Sequence, residues 1–251
     1  MSNYRSQINT YQQGRQPQTS SSSFSSEELP GRRRPSNSTQ GASSGPIQVT
    51  GRQPVVFVIY YSMYGHIERM AMEVCAGVEA AGCECRMFQV AETLSSDVLN
   101  KMHAAEKNRQ VPIIKVEQLA EADGIIFGMP TRFGSAPAQM RALFDQCGGH
   151  WRSNALIGKP AGIFFSTGSL GGGQETTALT TVTFFTHLGM IFVPLGYKNK
   201  SLQNLDEAHG GSPYGSGTLA GDGSRQPTRL ELQLAQTQGN EFGKVVIKLT
   251  R

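Results

Sequence analysis

The sequence predicts an α/β fold: a doubly wound, five-stranded parallel sheet with helices on both faces. Three observations predict it. Short apolar runs alternate with helix-like segments over residues 54–249, the order that a parallel sheet with crossover helices requires. The runs are apolar throughout instead of alternating with polar residues, as in strands buried on both sides. Loops with unusual chemistry follow predicted strands one, three and four. They therefore converge on one carboxyl edge, where such sheets bind ligands.

Taken in order, Val55, Val56, Phe57, Val58 and Ile59 form the first strand, which ends in Tyr60 and Tyr61. A helix is expected over about residues 67–81, stopped by Gly82. Residues 85–90 read as the second strand. Residues 91–117 are mixed and polar, are interrupted by Pro112, and are expected to hold a short helix and a surface excursion. Residues 119–123 lead into the third strand, 124–128. A loop containing Pro130 and Pro137 precedes a helix over about 138–146. The fourth strand covers 161–165, a Gly-rich loop follows, and a helix covers about 175–188. Residues 190–194 are the fifth strand, 196–225 are rich in turn residues, and 227–249 are helical.

The first part of the chain differs from the rest. Residues 1–51 are rich in Ser, Gln, Asn, Gly and Pro and hold only scattered apolar residues, so they are expected to be a disordered tail, with one domain over 52–251. The tail's five arginines and two glutamates contribute +3 of the chain's formal +4, leaving a near-neutral domain that gives no reason to expect nucleic acid. Arg32, Arg33 and Arg34 read as a solvated basic patch; a nuclear signal, an acidic-lipid contact, a kinase site at Ser36 or a cleaved organelle peptide are the sharper alternatives. No secretory apolar core and no apolar run of about 18 residues is present, so no membrane span is expected and the location is expected to be cytoplasmic. Cys75, Cys83, Cys85 and Cys147 form no C-x-x-C and have no histidine at metal-ligand spacing. They are expected to be reduced core thiols, Cys75 and Cys147 within predicted helices, with no metal site.

The first loop carries the most chemistry. Ser62, Met63, Tyr64, Gly65, His66 and Ile67 pass from a buried strand into a helix, so free backbone N–H groups and the helix dipole point at one place. The loop has no lysine, which excludes the G-x-x-x-x-G-K-[ST] nucleoside-triphosphate cradle. It has no G-x-G-x-x-G, which argues against a dinucleotide pyrophosphate. N–H groups and a Ser62 hydroxyl suit one terminal phosphate, and flavin mononucleotide (FMN) carries one.

Five segments bear a family resemblance: Y-Y-S-M-Y-G-H-I-E at 60–68, G-M-P-T-R-F-G-S at 128–135, S-T-G-S-L-G-G-G-Q-E at 166–175, G-G-S-P-Y-G at 210–215 and D-G-S-R-Q-P at 222–227. Together they resemble the tryptophan-repressor-binding-protein (WrbA) family of flavodoxin-like NAD(P)H:quinone oxidoreductases, over about residues 54–249. The resemblance implies a flavodoxin-like sheet, bound FMN, reduction by NADH or NADPH, and two-electron delivery to a quinone that takes the same position. The rival readings are a one-electron carrier of flavodoxin type and a non-catalytic scaffold on the same fold.

Residue by residue, the first loop is expected to hold the phosphate. Tyr64 either covers it or, as the resemblance implies, contacts the nicotinamide cofactor. His66 contributes its backbone N–H; its side chain either adds charge near the phosphate or points to solvent. Thr131, Arg132, Phe133 and Gly134 are expected at the ring's pyrimidine edge. Arg132 is a fixed positive charge there or, alternatively, pairs with Asp145; Phe133 packs on the ring or fills core. Ser166, Thr167, Gly168, Ser169, Leu170 and Gly171 permit close backbone approach to the flavin, although Leu170 departs from the polar residue, or one-residue deletion, usual in the family. The resemblance places His187 beside the flavin as a proton or hydrogen-bond donor to quinone, against a structural histidine. It also places Trp151 over a neighbouring subunit's flavin in a homotetramer, against a packing anchor.

Overall fold

A computed structural model describes residues 51–251; the expected tail lies outside the described residues apart from Gly51. Among the described residues, six strands form one sheet: β1 (Val55–Tyr60), β2 (Glu84–Gln89), β3 (Gly124–Pro130), β4 (Pro160–Thr167), β5 (Ile191–Phe192) and β6 (Gly217–Leu219). The order is β2-β1-β3-β4-β5, with β6 also on β4, and each pairing is parallel. This is the 2-1-3-4-5 order of flavodoxin-type sheets. Among the described residues there are six α-helices: α1 (His66–Ala80), α2 (Ser96–Lys101), α3 (Ala138–Asp145), α4 (Gly148–Ser153), α5 (Gln174–His187) and, after the last strand, α6 (Arg229–Leu249).

Strand β1 shows why the sheet has two covered faces. All six of its residues are buried. Val55, Phe57 and Ile59 face a core shared with Met140 and Leu143 of α3 and Ala178 and Phe185 of α5. Val56, Val58 and Tyr60 face a second core with Met70 and Val74 of α1 and Phe242 and Val246 of α6. Successive side chains of a strand point to opposite faces, so a continuous apolar run is what a sandwiched strand needs.

The α1–α6 contact is a backbone-to-backbone approach. A Cβ on Gly239 would lie 2.0 Å from the Val74 carbonyl oxygen, and one on Gly77 would lie 2.1 Å from that of Gln236. Gly239→Ala is therefore expected to destabilise the protein by about 1–3 kcal/mol through overpacking, despite alanine's better helix propensity. Gly148→Ala, where an added Cβ meets nothing within 4 Å, should be neutral or mildly stabilising. Urea unfolding of the two variants reads the difference.

Three expectations are corrected. The fifth strand is only Ile191–Phe192, paired to Pro160 and Ala161, and the carboxyl half of β4 pairs instead with β6, inside the stretch read as turns. Between the two partners the Ile163 carbonyl of β4 accepts 2.7 Å from the Gln238 amide of α6, so a side chain replaces the missing ladder bond. The sheet thus has six strands where five were expected. The cysteines are also not all reduced. Cys75 of α1 and Cys85 of β2 form a disulfide, their Cα atoms 5.6 Å apart because α1 folds directly back along β2. Cys83 and Cys147 are buried and free. Burial pushes the Cys147 thiol up to about 11 and raises that of Cys83, so both are inert as nucleophiles. Cys147 lies between α3 and α4, at the N-cap of α4, and not within a helix.

Candidate active site

The loops after β1, β3 and β4 meet at the carboxyl edge of the sheet around a cleft of about 530 Å³. From the first loop come Ser62, Met63, Tyr64, His66 and Ile67; from the second Thr131 and Arg132; from the third Ser166, Thr167 and Gly168. Ala220, Gly221, Asp222 and Gly223, just after β6, and Met102 and His103, after α2, complete the wall.

The first loop is built to receive an anion. Gly65, at φ +88°, is the N-cap of α1, a left-handed conformation that glycine adopts without a steric penalty. No side chain caps the helix. Among the described residues, the N–H groups of Ser62, Met63, Tyr64 and Gly65 donate to no protein acceptor. The Ser62 hydroxyl is buried and has no hydrogen-bond partner. A buried orphan hydroxyl beside a run of free donors is costly unless a ligand satisfies it. The donor set is neutral, compact and directed at a helix N-terminus, which fits the phosphate of FMN.

His66 differs from expectation. Its side chain is buried, with Nε2 2.7 Å from the Arg225 carbonyl oxygen, so it ties the first loop to the segment after β6 instead of facing solvent. Tyr64 stands at the mouth, 44% exposed.

The second loop is a tight turn closed by reciprocal backbone bonds between Arg132 and Ser135, at 2.8 and 3.0 Å. Thr131 Oγ1 accepts from the Gly134 N–H at 3.1 Å, and the Thr131 N–H donates to the Ser166 carbonyl at 2.9 Å, fixing this loop against the third. Arg132 donates to the Thr131 carbonyl at 2.8 Å and lies 3.8 Å from Met63 Sδ. Among the described residues it forms no ion pair, with Asp145 or any other carboxylate, so its charge is available to the cleft. Phe133 fills no core. It is fully exposed at the turn's tip, at φ +54°, where a bulky residue is uncommon.

In the third loop Ser166 and Thr167 are buried against the cleft, and Gly168 lines it. Ser169, exposed Leu170 and Gly171 turn outward and do not line it. Gln174, at the start of α5, donates to Thr167 Oγ1 at 3.1 Å and to the Thr218 carbonyl at 3.2 Å, and accepts from the Gly211 N–H at 2.7 Å. It joins this loop to the segments flanking β6.

One chain does not bring His187 or Trp151 to the cleft. Helix α5 begins beside it and carries His187 about 20 Å away over its 14 residues. There His187 lines a separate groove with Arg141, Phe144, Asp145 and Thr183. Trp151 sits on α4, beyond the far end of α3, and is 64% exposed.

Behind the site lies a residue that the sequence did not mark. Glu231 of α6 is fully buried. Its carboxylate accepts from the Gly210 and Leu219 N–H groups, the Thr218 hydroxyl, the Thr228 N–H and Arg225, at 2.8 to 3.1 Å. Burial opposes its ionisation, but Arg225 and the other donors outweigh burial and hold the carboxyl below its ordinary range. This one group gathers the β6 segment, the wall beyond it and the start of α6.

A protein-family model described as NADPH-dependent FMN reductase matches residues 56–202, more than half of the chain. The chain belongs to this family. As a family member it is 54% identical over 197 residues to "Quinone-oxidoreductase QR2" of Triphysaria versicolor, covering 77% of this chain and 96% of that protein. It is 52% identical over 199 residues to "Minor allergen Alt a 7" of Alternaria alternata, covering 78% and 98%. In fold, this FMN reductase relative is similar to a WrbA-like flavodoxin of Agrobacterium tumefaciens, with a TM-score of 0.56 at 23% identity over 78% of this chain and 99% of that one.

Proposed function

We propose that this chain is an FMN-dependent NAD(P)H:quinone oxidoreductase that reduces quinones by two electrons to hydroquinones with NADH or NADPH. The observation that carries the reading is the first loop: four free N–H groups, an uncapped helix and the partnerless, buried Ser62 hydroxyl at the carboxyl edge of the sheet. Relatives at about half identity carry quinone-oxidoreductase names.

Ser62, Met63, Tyr64, Gly65, His66 and Ile67 would hold the phosphate, the last two through backbone N–H groups. Ser166, Thr167 and Gly168 would follow the ribityl chain, and Thr131 with the turn to Gly134 would meet the ring. Bound there, FMN supplies reversible two-electron chemistry. Arg132 sets a fixed positive charge in the cleft, which favours negative charge on a reduced ring. Tyr64 at the mouth would contact a nicotinamide. The near-neutral charge of the domain argues against the flavodoxin-type carrier reading, since such carriers usually dock through an acidic face. Anaerobic bleaching of the bound flavin by NADH or NADPH, then reoxidation by benzoquinone, tests the function; no bleaching by either nucleotide would leave only the carrier or scaffold readings. Mass analysis of the extracted cofactor should return FMN, not FAD.

We further propose a homotetramer, in which Trp151 and His187 reach a neighbouring copy's cleft. The exposure of Trp151 and the distance of His187 from its own cleft support this reading. Trp151→Ala is expected to raise the quinone KM several-fold with little change in FMN affinity, since an aromatic stacking contact is worth roughly 0.5–1.5 kcal/mol. Steady-state kinetics together with sedimentation decide it: unchanged quinone KM, or a fully active monomer, returns Trp151 to a packing role. For location, no helix among the described residues is long and apolar enough to cross a membrane. We place the protein in the cytoplasm, where a Cys75–Cys85 disulfide would be unusual. Trapping free thiols at lysis tests both points at once.

A further inference from the structure

The first loop has no cation of its own, yet an ammonium lies behind it. Lys107, from the excursion between α2 and β3, donates to the Ser62 carbonyl oxygen at 2.7 Å. It does not line the cleft. Two residues earlier the Ala105 N–H donates to the Met63 carbonyl at 2.8 Å, so the excursion is laced to the loop at consecutive peptides. The Lys107 ammonium also lies 4.3 Å from the centroid of the Tyr61 ring and 3.4 Å from Glu92 Oε2. Glu92 is itself occupied by the Tyr61 hydroxyl at 2.9 Å, the Gln139 amide at 2.7 Å and the N–H groups of Thr93 and Leu94. The shorter of the two polar contacts of Lys107 is thus to the carbonyl, not to the carboxylate.

The Ser62 carbonyl and the Met63 N–H are two ends of one delocalised amide. A cation on the oxygen draws electron density from the nitrogen and strengthens that N–H as a donor. Among the described residues the Met63 N–H has no protein acceptor, and Met63 lines the cleft. We propose that Lys107 is a positioning residue for phosphate: it holds the loop open and passes positive charge to the bound anion through the Ser62–Met63 peptide. The site can then favour a phosphate while presenting no lysine that would attract nucleoside triphosphates. Burial lowers the Lys107 pKa and Glu92 counters that effect, so the ammonium's charge is partly desolvated and acts at greater strength than a surface lysine would.

This inference rests on FMN occupying the cleft, and one experiment separates the two. Strip flavin from the full-length protein and titrate the apoprotein with FMN and with riboflavin, which differ only in the phosphate, following quenching of flavin fluorescence. If the wild type shows no preference for FMN, the phosphate reading itself fails. If it does, Lys107→Gln, which keeps a donor for the carbonyl but removes the charge, should weaken FMN by about tenfold and riboflavin by less than about twofold. Lys107→Arg should restore the preference. Equal weakening of both flavins would make Lys107 a structural clamp only, and no change in either would remove it from the site; both outcomes overturn the proposal. Should Lys107→Gln not fold, Glu92→Gln reads the same charge from its other partner. Removing the offsetting carboxylate should raise the FMN-over-riboflavin ratio, and a ratio that falls or holds overturns the assignment.

Discussion

Ser62→Ala is expected to weaken FMN binding by about 10- to 100-fold while leaving the apoprotein as stable as before, or more so. The two effects have opposite signs for one reason. The hydroxyl is buried with no partner, so its removal relieves the apoprotein of an unsatisfied polar group. The same hydroxyl is the natural donor to a phosphate oxygen, and a hydrogen bond to a charged group is worth about 1.5–3 kcal/mol. Ser62→Asp should go further and abolish retention of FMN, because a carboxylate there meets the phosphate at close range, where each like-charge pair costs about 4 kcal/mol at an effective dielectric of 20. Flavin content after purification and thermal melting of the stripped protein check both halves. A Ser62→Ala protein that melts lower and binds FMN normally would make this serine an ordinary structural residue.

Glu231→Ala should cost about 3–5 kcal/mol, since it leaves Arg225 and several buried N–H groups without their acceptor. For a domain of this size that is roughly a 10 °C fall in melting temperature. Glu231→Gln should recover part of the loss, because the amide oxygen can still accept while the amide nitrogen must displace a donor. The pH dependence follows from the direction of the shift. The folded carboxyl titrates below its ordinary range, so its stabilisation is complete above the ordinary glutamate pKa of about 4.3 and is lost as the pH falls through the lower folded value. The wild type should therefore lose stability steeply in acid, and Glu231→Gln should lose it less steeply over the same window. Urea midpoints measured from pH 3 to pH 7 decide it. FMN affinity should fall in Glu231→Ala too, since the wall from Ala220 to Gly223 and the anchor of His66 both hang from this carboxylate's partners.

Much of this was legible in the chain because it is local. The strand ending in Tyr60 and Tyr61, the loop through Gly65 and the entry into α1 are set by burial pattern and backbone preference within a dozen residues. A left-handed N-cap with no side chain to cap it leaves the same donors free in any fold that contains it. The Thr228-x-x-Glu231 spacing is equally local. It is a capping box at the start of α6, with the Glu231 N–H 3.3 Å from the Thr228 hydroxyl. Read as such, it would have marked that helix start.

Other features have no local signal. The spacing of Cys75 and Cys85 says nothing until α1 folds back on β2. A side chain from α6 completes the bonding of β4, which no periodicity in either segment foretells. Lys107 stands 45 residues from the carbonyl it holds, in a stretch that reads as polar surface. His66 finds its acceptor 159 residues away. The sequence by itself determined strands β1 to β4, helices α1, α3, α5 and α6, the edge on which the loops converge and the kind of anion they suit, because those follow from short-range sterics and alternation of burial. The tertiary structure alone decided which distant groups satisfy the buried polar atoms and which predicted residues share a cleft. Those outcomes depend on close packing between elements far apart in the chain, where one partner's chemistry carries no information about the other.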